Sequence, residues 1–133
     1  MGARAVGFDE LERDLELFAE RGQKTFRGVV KRGAQNIKDD WRLRWEGIQH
    51  HPTHIPHLPR GVGYDIDEAT GRWLADIGVH PRNRQAFIAH IIEFGSRNNP
   101  PHPAGQDSLD AEEPRFVNAV LDAAVSLLDG RPR

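Results

Sequence analysis

FDELERDLELFAERGQKTFRGVVKRGAQNIKDDW, residues 8–41, is the stretch from which the fold is best read. Phe8, Leu11, Leu15, Phe18, Gly22, Phe26, Val29, Gly33, Ile37 and Trp41 recur at intervals of three and four. That spacing is the apolar stripe of one amphipathic helix. Asp9, with Glu12 three residues on, reads as a capping box at its start. Continued to Trp45, the helix would measure roughly 55 Å at ~1.5 Å per residue, more than a single core of this size needs covered. Either it breaks at Gly22, where glycine costs about 1 kcal/mol relative to alanine, or part of its stripe packs on another subunit.

Charge divides this helix. Asp9, Glu10, Glu12, Asp14, Glu16 and Glu20 load its first third, and Arg21, Lys24, Arg27, Lys31, Arg32, Lys38, Arg42 and Arg44 dominate the rest. Lys24, Lys31 and Lys38 are seven apart, with Arg42 near the same angle, away from the apolar stripe. They read as a solvated face or as a basic strip toward passing nucleic-acid phosphates or a partner's acidic rim. No aromatic residues interleave them, so base stacking is not suggested.

Outward from the helix, residues 47–60 form a connection rich in histidine and proline. Pro52, Pro56 and Pro59 exclude a regular helix. His50, His51, His54 and His57 raise the question of a metal, but a structural site needs a rigid set and a catalytic one usually places two histidines on one helical turn. The expectation is a surface loop and no metal site.

Val62, Tyr64 and Ile66 then alternate with Gly63, Asp65 and Asp67. After a turn at residues 67–71, Trp73, Ala75, Ile77 and Val79 alternate with Arg72, Leu74, Asp76 and Gly78. This is a β hairpin with one apolar face, which must pack on helices because a hairpin alone is marginal in water. Residues 87–94, FIAHIIEF, are too short for periodicity to separate strand from helix. Residues 96–112 read as a Pro- and Asn-rich bend. Pro114 suits the first turn of a last helix over 113–129, with Phe116, Val117, Val120, Leu121, Ala124 and Leu127 on its buried face and Asp129-Gly130 at its end. The fold class is α+β: a long N-terminal amphipathic helix (8–46) and a C-terminal helix packed on a small antiparallel sheet, the hairpin and the apolar segment after it filling 61–95, in one domain over 1–133.

Whole-chain quantities narrow the function without giving it. A net charge of -2 excludes a bulk nucleic-acid binder, and the absence of cysteine excludes disulfides and thiolate metal sites. No apolar leader segment follows Arg4 and no apolar run reaches membrane-spanning length, so neither signal peptide nor membrane span is expected. No nucleophile–base pair, phosphate cradle or cofactor motif stands out. Glu93 is the carboxylate to single out, set after apolar residues and before Phe94-Gly95. A general base there, with His90 or His102 as companion, would need a shaped pocket and a second group. A structural carboxylate, bonded to backbone at the bend or to an arginine across a subunit boundary, is the simpler expectation.

The order of parts resembles a family of small proteins of tailed bacteriophages with long non-contractile tails: tail components, tail-completion or terminator proteins, and neck or head-to-tail connector proteins. The charged first helix, the GVGYDI strand, the ADIGVHP partner strand and above all Glu93-Phe94-Gly95-Ser96, matching the family's E-F-G-[ST] signature, carry the resemblance over about residues 8–128. EEPRFVNAVLDAA looks like versions from phages of actinobacteria. Pro103-Ala104 stands where many members have a Pro-Phe pair. The resemblance implies a virion structural protein made in the host cytoplasm, without enzyme activity or cofactor. It also implies a homo-oligomeric ring, expected to be hexameric, that contacts other neck and tail proteins and has DNA passing through its lumen. Glu93, Phe94 and Gly95 would then form an assembly corner, and Lys24, Lys31, Lys38 and Arg42 a DNA-facing strip. The alternatives are a nucleic-acid-binding module using that strip and a histidine-site metalloprotein.

Overall fold

A computed structural model describes residues 3–48, 58–69, 72–83, 86–98 and 100–130. The fold is α+β. Helix α1 spans Ala3–Ile48. A single 3-10 turn at Pro59–Gly61 leads into strand β1, Val62–Ala69, which pairs with β2, Arg72–Val79. Helix α2 spans Ala86–Phe94 and α3 spans Ala104–Leu128. His50, His51, His54 and His57, the Thr70-Gly71 part of the hairpin turn, the side chain of Phe8 and the last residues 131–133 lie outside the described residues.

Helix α1 is continuous through Gly22 for 46 residues, about 69 Å at ~1.5 Å per residue. The expected capping box is not its start: Asp9 sits two turns inside, because the helix already begins at Ala3. Residues 22–45 carry the structural load. Gly22 faces Leu127, Gly33 faces Phe116, Asn36 bonds to Glu112, and Trp41 lies on Gly105, so α3 runs antiparallel along α1. The other side of the α1 stripe receives the hairpin.

The two strands pair antiparallel from Val62↔Val79 to Ala69↔Arg72, and the alternation read from the sequence holds. Trp73, Ala75, Ile77 and Val79 point inward, while Arg72, Leu74 and Asp76 are exposed. The core lies at the C-terminal end of α1, where Trp45, Leu58, Val62, Ala89 and Ala104 are buried and Trp41, Ile77, Val79 and Ile92 pack against them. Every element contributes to it.

The apolar run 87–94 is helical, within α2 at Ala86–Phe94. The last helix departs further from expectation. It starts at Ala104, so residues 104–112 are helical and the bend shrinks to 95–103. Pro114 is therefore inside the helix, where its missing N–H leaves the Asp110 carbonyl without its usual partner; both residues are exposed, which moderates the loss. The helix can begin early because its first face toward α1 is made of Ala104, Gly105, Ser108 and Glu112, all buried. These residues are small or polar and give no hydrophobic period. The expected buried face is also rotated. Phe116, Val120, Ala123 and Leu127 turn toward the rest of the fold, whereas Val117 and Leu121 are exposed. No described helix is long and apolar enough to cross a membrane.

Candidate assembly corner

Glu93-Phe94-Gly95-Ser96 is where α2 stops and the chain turns toward α3. Gly95 adopts φ 78°, a left-handed conformation that side chains resist. Its N–H bonds the Ile91 carbonyl at 2.7 Å, the single bond of an αL helix stop. The chain then comes back, and the His102 N–H bonds the Ile92 carbonyl at 2.7 Å. Both ends of the bend are thus held on the last turn of α2.

That return places the start of α3 beside Glu93. The residue at the N-cap position is Pro103, which makes no side-chain cap bond. A helix start leaves its first N–H groups without intrahelical partners, and here Glu93 supplies acceptors from another helix. The Gly105 N–H donates to Oε2 and the Gln106 N–H to Oε1, both at 3.0 Å. A carboxylate at this end also complements the partial positive charge of the helix dipole. Of the alternatives for Glu93, the structure has it bonded to backbone at the bend. Both oxygens are engaged in the cap.

Phe94 behaves differently from its neighbour. It is 69% exposed, with its ring 4.8 Å from that of His90, which is also exposed. Beside it opens a cleft of about 490 Å³ between β2, α2 and the start of α3, floored by Ile37 and Trp41, with Asp76, His90, Glu93 and Gln106 as its polar members. The corner therefore combines one inward residue, one turn residue and one outward aromatic.

Glu93→Ala removes two charge-assisted bonds at a helix start; bonds to charged groups contribute about 1.5–3 kcal/mol each, and cap replacements typically cost ~1 kcal/mol. We expect a loss of about 1–3 kcal/mol in urea unfolding. Glu93→Gln should recover part of it, because one oxygen acceptor remains. Unchanged stability in Glu93→Ala would contradict the cap.

The four residues of the expected basic strip do not share one environment. Lys24 and Lys31 are exposed. Lys38 is partly buried, its ammonium 5.5 Å from the centre of the Tyr64 ring. Arg42 turns to the sheet, donating from Nε and Nη2 to the Val62 carbonyl at 3.1 and 2.7 Å and from Nη2 to that of Arg60 at 3.3 Å. Arg27 pairs with Glu68 at 2.6 Å further along β1. β1 runs antiparallel along this side of α1, meeting it at Arg27, Lys38 and Arg42 in turn. Of Lys24, Lys31, Lys38 and Arg42, the last two thus contact the hairpin and the first two are exposed.

One buried polar group was not singled out from the sequence. Glu112 is 4% exposed on the α1-facing side of α3. The Asn36 side chain donates to its Oε1 at 2.9 Å. Arg115 Nη2 lies 3.0 Å from Oε2 as an ion pair, without hydrogen-bond geometry. Nothing in the local pattern marks Glu112, because its partner is 76 residues away.

Among the described residues, no group of three His, Cys, Asp or Glu side chains could hold a metal ion. No family model matches the chain, and neither a curated protein nor a solved structure matches it.

Proposed function

We propose that the chain is a structural virion protein of the neck or upper tail of a long-tailed bacteriophage, forming a ring that completes the tail and joins it to the head. The observation that carries this reading is the corner at Glu93-Phe94-Gly95-Ser96. The first three residues of the family-like signature differ physically there: cap, exposed aromatic and left-handed turn. The corner follows the hairpin and precedes the last helix, the order of parts on which the sequence resemblance rests.

The shape of α1 supports the same reading. A helix extending well past its own core suits a protomer that completes its contacts in an assembly. The competing reading, a nucleic-acid-binding module, loses support because Lys38 and Arg42 are engaged with the hairpin. Lys24 and Lys31 alone would neutralise few phosphates, and affinity for duplex DNA scales with that number. DNA passing a ring lumen without being gripped remains compatible with two exposed lysines per protomer.

Location tests the proposal. In particles that contain the chain, an image of the neck at side-chain resolution should show the 46-residue α1 within a ring between capsid and tail tube. Finding the chain only in the capsid shell or the tail tip would overturn it.

A further inference from the structure

Strand β2 has a free edge. Val62 directs its N–H to the Pro59 carbonyl and its own carbonyl to Arg42, so Val62↔Val79 is a pair without mutual hydrogen bonds. Bonded and non-bonded pairs alternate along an antiparallel ladder. With the observed register, the N–H and C=O groups of Ala75, Ile77 and Val79 therefore point away from β1. Among the described residues, no backbone group meets those of Ala75 or Ile77 on that side. The edge faces a groove. Ala75, Asp76 and Ile77 all line the cleft of about 490 Å³, and no residue of β1 does. Successive side chains on a strand point to opposite faces, so these three share a wall through the strand edge. A second cleft of about 210 Å³ adjoins the first at Ile37, Ala75, Ile77 and Leu109 and carries the groove along the strand to Trp73. Its floor is α1, with Ala34 and Ile37 buried. Its far wall is α2 and α3, from which β2 stands largely apart. Among the described residues, Asp76, Glu93, Glu112 and Glu113 line the groove and no Lys or Arg does. Glu93 caps α3, and Glu112 is held by Asn36 and Arg115. Asp76 and Glu113, both exposed, give the groove its negative charge toward a partner.

We propose that this groove takes an extended segment of another protein as a third strand on β2, with apolar and basic residues in alternation. A row of unpaired main-chain donors and acceptors selects an extended backbone, because only a strand repeats their spacing. The alternation follows from the two faces of the enlarged sheet. One set of side chains lies down on Ala34 and Ile37, and the other stands beside Asp76 on the outer face. The first set is apolar and the second basic. A second copy offers no matching strand among the described residues: its β2 edge lies within its own groove, and its β1 runs along α1 at Arg27, Lys38 and Arg42. The inference stands on the groove itself; under the neck reading, the segment belongs to an adjoining protein of the particle.

The test uses the full chain and synthetic peptides of about seven residues, close to β2 in length, alternating valine and lysine. For so short a segment, affinity in the micromolar range is expected. Binding should slow amide hydrogen exchange at Ala75 and Ile77 at least about tenfold. Two further peptides carry N-methyl groups, one on every valine and one on every lysine. Only alternate N–H groups of an added strand face β2, so one of these peptides should lose binding and the other retain it. Glutamate in place of lysine should weaken binding at least about tenfold. Asp76→Lys with Glu113→Lys changes two exposed residues and should weaken the lysine peptide by a similar factor, whereas Leu121→Ala on the outer face of α3 should leave it unchanged. Equal effects of the two N-methylated sets, undiminished binding of the glutamate peptide, no protection at Ala75 and Ile77, or no binding by any probe would overturn the proposal. So would a loss of self-association in the Asp76→Lys, Glu113→Lys variant, since the groove would then hold a second copy. None of these outcomes depends on where the chain resides in a particle, so this inference and the neck reading fail separately.

Discussion

Trp45→Ala should unfold at a much lower denaturant concentration, with a stability loss of about 3–5 kcal/mol. Trp45 is 1% exposed and is among the largest fully buried side chains of the fold. It is a meeting point of the core, in one cluster with Leu58 ahead of β1, Val62 in β1, Ala89 in α2 and Ala104 in α3, and its ring stands edge-on to Trp41 at 5.6 Å. Truncation there opens a cavity shared by four elements, none of which can close it without leaving the others. Against a typical total of about 5–15 kcal/mol, the loss is a large share. Trp45→Phe separates packing from polarity. The indole Nε1 of Trp45 is buried and has no hydrogen-bond partner among the described residues, and an unmade buried bond costs about 1–3 kcal/mol. Removing that donor offsets much of the lost volume, so Trp45→Phe should stay within about 1.5 kcal/mol of the parent. A loss in Trp45→Phe as large as in Trp45→Ala would contradict this assignment.

Gly105→Val should be nearly as damaging, through crowding instead of a void. A Cβ at Gly105 would lie 2.6 to 2.9 Å from three ring atoms of Trp41, well inside van der Waals contact. Trp41 cannot simply move, because it also packs on the core cluster. The same glycine donates its N–H to Glu93, so displacing the start of α3 also strains the cap. Overpacking costs typically about 1–3 kcal/mol, and the combined effect should reach the top of that range. Gly105→Ala supplies the cleaner cycle. Its cost should largely disappear when Trp41 is replaced by Leu, giving a coupling of about 1–2 kcal/mol between the two positions. Additive effects would mean that Trp41 and Gly105 do not meet. Gly33 provides the contrast. A Cβ there comes within 2.9 Å of one Phe116 ring atom, but Phe116 is only partly buried and has room to yield.

Much of this fold is legible in the sequence, and the exceptions share a cause. The stripe from Leu11 to Trp41 forms one helix, and the alternation around Tyr64 and Trp73 forms a hairpin, because each exposes its period within one element. Asp9 and Glu12 mimic a helix start, yet residues 3–8 continue the helix upstream of them, and a capping motif cannot report that. The first turns of α3 are silent because Ala104, Gly105, Ser108 and Glu112 pack by being small or by hydrogen bonding, not by being apolar. With no stripe to follow, Pro114 is the first visible signal, and it lies ten residues into the helix. The corner divides in the same way. Glu93 stands out as a carboxylate among apolar residues, and Gly95 as a turn residue, from local context alone. What Glu93 binds is set by a tertiary return of the chain to Gly105 and Gln106, and what Arg42 binds is set by the edge of β1. Partners across the fold leave no mark on local spacing.

The neck assignment meets its most direct test in particles assembled without the chain, scored by electron microscopy for joined heads and tails and for tail length. Separate heads and tails, or tails of irregular length, are expected, with joining restored when purified chain is added back. Particles that form joined heads and tails of normal length in its absence would contradict it.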